Sequence, residues 1–169
     1  MLQNKDTKQT PVSELGEFGL IKHLTKEFST KNNSTIFGVG AFGETFSATK
    51  SGKVLWRNNI QSSSRLIVSG NSAFYSSNNS LIGRINSKNG KIVFLKEFTG
   101  KSWVKYHGPL LLQNKLLVLA TDKNAYWFSP EDGRLLNKEK LGKKISSPPV
   151  VVNKRLMFVS EDGMLNILN

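Results

Sequence analysis

His23 and His107 are the only imidazoles in this sequence of 169 residues, and they fall in different halves of it. A metal centre needs several convergent His, Asp, Glu or Cys ligands. The chain contains no cysteine, which excludes disulfides and thiolate sites. No Ser-His-Asp or Cys-His constellation can be assembled from these residues. His23 reads as the polar flank of a helix, and His107 as a residue just ahead of a strand that opens at Gly108-Pro109. The stretch "GVGAFG" (38–43) has the glycines of a phosphate loop, but lacks the Lys-Ser/Thr and the following helix that such a loop requires.

Carboxylates are equally unpromising as a catalytic pair. Eight acids follow residue 40, and six of them (Asp122, Glu131, Asp132, Glu139, Glu161, Asp162) fall in or beside expected turns. Asp favours such positions because its side chain bonds the local backbone. The aromatic residues Trp56, Trp103, Trp127, Phe74, Tyr75, Phe94 and Phe128 could stack nucleic-acid bases. In repeats of this size such residues fill the wedge between neighbouring sheets instead. The sequence therefore yields no catalytic, cofactor-binding or metal-binding residue, and the expectation is a protein that is not an enzyme.

Net charge is +12, with 24 basic and 12 acidic residues. Residues 41–169 hold 19 of the basic residues against 8 acids. A basic domain raises nucleic acid or an anionic surface as a partner. Most of these cations are scattered, however, and only Lys138, Lys140, Lys143 and Lys144 cluster. Scattered lysines read as solvated turn positions, so no nucleic-acid partner is expected. No stretch reaches the roughly 18 to 20 apolar residues of a membrane span. The polar start "MLQNKDTKQT" lacks the apolar core of a secretory signal.

Two periodicities divide the chain. Over 13–28, Ser13 caps a helix whose first turn holds Glu14 and Glu17. Leu15, Phe18, Ile21, Leu24 and Phe28 form one apolar stripe at spacings of three and four. "STKNNS" (29–34) then reads as a polar turn. Beyond residue 35 the period is two, and short apolar runs alternate with turn pairs such as Gly70-Asn71, Asn89-Gly90, Gln113-Asn114, Asp132-Gly133 and Asn153-Lys154. The expected organisation is a helical segment over 1–34 and an all-β domain over 35–169.

That domain is repetitive. "SGKVLWRNN" (51–59), "NGKIVFLKEF" (89–98) and "DGRLLNKEKL" (132–141) each place a glycine and a basic residue ahead of a strand. Gly52, Gly90 and Gly133 mark a period of about 40 residues, the length of one four-stranded propeller blade. About three blades are expected. "SATKSGKVLW" (47–56) resembles the quinoprotein-type, or PQQ-like, propeller repeat, with Phe94 and Asn137 standing where Trp56 stands in the first copy. Within that superfamily, residues 41–169 resemble the C-terminal blades of the BamB family, on the strings at 107–136 and 146–169. This resemblance implies a non-catalytic scaffold that binds the barrel-assembly machinery at the periplasmic face of the bacterial outer membrane. It implies no cofactor. A truncated quinoprotein dehydrogenase, with its quinone and calcium, is the enzymatic alternative on the same repeat.

Residues 10–40 resemble a different family. "SELGEFGLIKHLTKEF" and "STIFGVG" are similar to the start of thiamine-monophosphate kinases, ATP-dependent enzymes whose loop aspartates bind magnesium. Ala41-Phe42 stand where those aspartates are expected, so the resemblance implies a kinase fragment without its metal ligands. "IFGVG" serves either family, as a kinase strand or as a blade strand, which puts a junction near 35–43. An incomplete ring also leaves sheet faces and edges uncovered. Phe46, Val54, Trp56, Leu156, Phe158 and Ile167 are the side chains expected on those faces, and self-association through them is expected.

Overall fold

The computed structural model describes residues 29–31, 35–39, 44–62, 66–77, 79–99 and 103–168. The expected helix at 13–28 lies outside the described residues. Fifteen strands, and no helix, account for the regular structure among those that are described.

Sheet 1 consists of β1 (Ser29–Lys31), β2 (Thr35–Val39), β3 (Thr45–Thr49) and β4 (Val54–Asn58), in that order. Sheet 2 runs β5 (Ile67–Ser69), β6 (Ser72–Ser76), β7 (Leu81–Asn86) and β8 (Ile92–Glu97). Sheet 3 repeats the order with β9 (Tyr106–Leu112), β10 (Lys115–Ala120), β11 (Asn124–Phe128) and β12 (Leu135–Lys140). Sheet 4 has three strands, β13 (Val150–Val152), β14 (Arg155–Val159) and β15 (Leu165–Leu168). Every pairing is antiparallel between chain neighbours, as short turns dictate. Two expectations change here. The polar turn read at 29–34 supplies a strand, Ser29–Lys31, because its backbone pairs with β2 at Ser29↔Phe37. "IFGV" is a blade strand, registered with β3 from Thr35↔Thr49 to Val39↔Thr45.

Turn chemistry sets these registers. Gln113 and Asn114 both have positive φ (46° and 57°), and so do Asn153 and Lys154 (49° and 64°). Two successive left-handed residues make the two-residue hairpin whose twist matches its flanking strands.

Alternation along β3, β6 and β10 sends side chains to both faces, and both are buried. In β10, Leu116, Val118 and Ala120 join Phe74 and Ile82 of sheet 2. Leu117 and Leu119 of the same strand point the other way, into a cluster with Leu156 and Phe158 of sheet 4. Sheets 1 and 2 meet through Phe37, Val39 and Trp56 on one side and Ala73, Tyr75 and Ile85 on the other. The core is thus three successive layers between sheets. Each fully buried large side chain contributes about 1.5–3 kcal/mol.

Several residues expected on open faces lie inside these layers. Phe46 is fully buried, Trp56 faces sheet 2, and Leu156 and Phe158 face sheet 3. Phe46 owes its burial partly to Gly38, opposite it in the ladder, where an added Cβ would stand 2.5 Å from the ring. Ile167 alone of that set is clearly exposed, and Val54 is half-buried.

Candidate functional site

The fourth strands of sheets 1 and 2 each place one aromatic side chain against the next sheet, and the equivalent residue of sheet 3, Asn137, is exposed. Trp56, Phe94 and Asn137 are the third residues of β4, β8 and β12. Immediately beside each, the ladder to the third strand shifts register: Ser47↔Trp56 is followed by Ala48↔Val54, Arg84↔Phe94 by Ile85↔Ile92, and Trp127↔Asn137 by Phe128↔Leu135. This repeated bulge bends the outer strand, and in sheets 1 and 2 it aims Trp56 and Phe94 at the neighbouring sheet.

The partners of the first two are the repeat glycines. A Cβ on Gly90 would lie 2.8 Å from the Trp56 ring, and one on Gly133 would lie 2.5 Å from the Phe94 ring. Both glycines also have φ of +72°, so no other residue type fits without strain. Trp56 donates its indole N–H to the Ser87 carbonyl at 3.0 Å. Pro130 occupies the position of Ser87 in the next sheet, and Phe94 has no N–H to offer. Arg84 takes over, donating from Nη1 to the carbonyls of Pro130 and Glu131 at 3.3 and 3.4 Å. Sequence reasoning missed Arg84. Its position opposite Phe94, on the strand that leads into the Asn89-Gly90 turn, is the signal that could have found it.

The chemistry-bearing residues do not converge. His107 lies within β9 rather than ahead of it, and burial together with the Lys105 ammonium pushes its pKa down. His23 and residues 40–43 of "GVGAFG" lie outside the described residues, while Gly38 and Val39 belong to β2. Among the described residues, no group of three His, Asp or Glu side chains could hold a metal ion. Asp122, Asp132 and Asp162 are turn residues as expected. Asp122 accepts the Asn124 amide at 3.2 Å and the Tyr126 hydroxyl at 2.6 Å. Asp132 accepts the Arg134 amide, and the Ser129 hydroxyl and that amide hold its carboxyl below the usual range. Glu139 departs from the expectation: it lies within β12, where it accepts a bond from the Asn137 amide at 2.8 Å.

The lysine cluster is partly neutralised. Lys143 pairs with Asp162 at 2.7 Å and Lys144 with Glu161 at 2.5 Å, along a groove of about 400 Å³ between sheets 3 and 4. Lys138 sits 5.3 Å from the Tyr126 ring centroid. The Lys143 contact is the main cause that lowers the Asp162 pKa to about 2, with the Ser160 hydroxyl adding to it. Of the aromatic residues read as packing, Trp103 is the exception, at 72% exposure. The others are buried or packed between sheets, and burial pushes the Tyr75 phenol up to about 12.

Consecutive four-stranded antiparallel meanders, each packed face to face on the next, define a β-propeller architecture. The chain belongs to the family described as outer membrane protein assembly factor BamB, whose model matches residues 50–169. Solved structures agree at the level of fold. The BamB of Moraxella catarrhalis is 13% identical with a TM-score of 0.73, over 83% of this chain and 41% of that one. The computationally designed Ika4 protein is 12% identical at a TM-score of 0.70, over 86% and 90% of the two chains. The WD40 β-propeller domain of Doa1 is 18% identical at 0.66, over 83% and 48%. The chain thus spans less than half the length of the BamB it matches. No curated protein matches its sequence. Nothing in these comparisons supports the resemblance of residues 10–40 to thiamine-monophosphate kinases, since the family match begins at residue 50.

Proposed function

We propose that the chain is a non-catalytic, protein-binding scaffold that serves assembly of outer-membrane β-barrel proteins at the periplasmic face of the membrane. The observation that carries this reading is the family match over 50–169, on a fold whose aromatic and acidic residues are occupied by packing and turns. Propellers bind through their surfaces and loops, held rigid by sheets of the kind described above. The direct experiment is calorimetric titration of the purified chain with the periplasmic domains of a barrel-assembly protein. Saturable binding to those domains, and none to an unrelated periplasmic protein, is the expected result. Absence of heat with the assembly domains, or turnover of an alcohol with added quinone cofactor and calcium, would overturn it.

A further inference from the structure

One repeat position leaves a buried polar atom without a partner in each of the first three sheets. Ser47 lies opposite Trp56, Arg84 opposite Phe94 and Trp127 opposite Asn137. Ser47 Oγ, Arg84 Nε and Trp127 Nε1 are all buried and all unpaired. In sheets 1 and 3 the unpaired group is neutral. In sheet 2 it belongs to a guanidinium, and a charge withdrawn from water is far costlier to leave uncompensated than a neutral group.

Arg84 is held in place but not neutralised. Its Nη1 is taken by the Pro130 and Glu131 carbonyls, and its Cζ stands 6.0 Å from the Phe74 ring centroid. Nη2 donates to no group among the described residues, and Arg84 forms no ion pair with a described carboxylate. The half-buried side chain lines a cleft of about 200 Å³ between sheets 2 and 3, where the β5–β6, β9–β10 and β11–β12 turns come together. The Ser69 and Ser72 hydroxyls and the Asn114 side-chain amide border the same cleft. None of the three makes a side-chain hydrogen bond within the described residues. Glu131, the one carboxylate on the lining, is exposed and pairs with no described cation.

We propose that this cleft binds the carboxylate of an acidic side chain presented by a protein partner. A planar cation flanked by unused hydrogen-bond donors suits a planar anion. Phe74, Leu111 and Pro130 give the cleft an apolar wall. Such a wall takes the methylenes of Asp or Glu and gains nothing from a bare phosphate or sulfate. Small-molecule pockets begin at roughly 300 Å³, so a cleft of about 200 Å³ takes the tip of a side chain rather than a whole ligand. The net charge of +12 draws an acidic partner towards it. The inference rests on the protein-binding reading above, but not on barrel assembly as its purpose.

NMR titration of the full chain with the blocked peptide N-acetyl-Gly-Glu-Gly-amide tests this site through the Arg84 Nε–Hε resonance. The expected result is a saturable shift of that resonance and of the Asn114 side-chain amide, absent with the Gln version of the peptide. Arg84→Gln, shown to be folded by circular dichroism, should weaken binding by at least about tenfold. Asn114→Gly removes one donor at an exposed turn residue whose φ of 57° glycine accepts, and should weaken binding by about two- to tenfold. Glu131→Gln removes the competing carboxylate and should tighten binding by about two- to fivefold. A peptide that leaves the Arg84 resonance unmoved would overturn the proposal, as would binding indifferent to both Arg84→Gln and Asn114→Gly. So would inorganic phosphate that binds as tightly as the peptide, or free propionate that binds where the peptide does not. A chain that takes the peptide but gives no heat with barrel-assembly domains sustains this site and overturns only the assembly role.

Discussion

At the first interface, between sheets 1 and 2, the bulky side chain stands on the outermost strand: Trp56 on β4, opposite the small Ser47. At the third interface, between sheets 3 and 4, the order is reversed, with Trp127 on β11 opposite the small Asn137 on β12. The second interface is intermediate, with Arg84 opposite Phe94. Directly opposed residues share a face of the ladder, so each pair fills one wedge between sheets whichever partner is large. What differs is the attachment. Trp56 is fixed by a glycine beneath its ring and a carbonyl at its N–H, whereas the Trp127 indole N–H is buried without a partner. Wedge volume is kept along the chain while the specific anchor is lost.

The largest expected effect comes from removing the first anchor. Trp56→Ala should cost about 3–5 kcal/mol, as for other buried aromatic truncations, and urea denaturation will read it. Trp127→Ala should cost clearly less, because its ring is only half-buried and its N–H makes no bond. Equal losses would mean that the two attachments do not differ in strength. Next is the glycine beneath Phe94. Gly133→Ala introduces both a Cβ clash at 2.5 Å and strain at φ of +72°, for a loss of about 1–3 kcal/mol. In a Phe94→Ala background the clash term should vanish and only the backbone strain remain, so a double-mutant cycle must show coupling. Arg84→Leu removes two long hydrogen bonds and should cost about 1 kcal/mol. Should this substitution prove neutral, Arg84 is no substitute for the missing indole.

The smallest effect lies in sheet 4. The Asp162 pKa is lowered from 3.8 to about 2, so its contribution to the folded state is in place above pH 3.8 and is lost as pH falls towards 2. Carbon-detected NMR titration should place its midpoint near 2, and Lys143→Ala should raise that midpoint. An unmoved midpoint would show that the contact between Lys143 and Asp162 does not persist in solution.

Most strands were legible in the sequence because period-two runs and two-residue turns encode them locally. Gln113-Asn114 and Asn153-Lys154 fix their hairpins without help from the rest of the chain. Ser29–Lys31 was hidden because no local pattern marks it; a three-residue polar strand exists only through its ladder with β2. The open faces were misjudged for a related reason. Alternation says that Phe46 and Ile167 each point out of a sheet, but only packing says that one is covered and the other is bare. The pairing of Trp56 with Gly90 was half visible: the repeat marked both residues, yet nothing in it says that they touch across 34 positions. As for function, the resemblance over 41–169 was carried by the repeat strings, and the residue-level reading offered no site to contradict it.

The Asn89-Gly90 turn also has a chemical future. Asn-Gly is the dipeptide most prone to ageing, through attack of the glycine nitrogen on the asparagine side-chain carbonyl to close a succinimide ring. Here the Gly90 nitrogen is engaged with the Asn86 carbonyl at 2.8 Å, and Asn89 Oδ1 accepts the Lys91 amide at 3.0 Å. The Trp56 ring pins the glycine from above. Cyclisation requires these restraints to release, and the Trp56 contact releases when the first interface opens. Isoaspartate at residue 89, read by mass spectrometry after prolonged incubation, should therefore accumulate faster in Trp56→Ala, where that contact is gone.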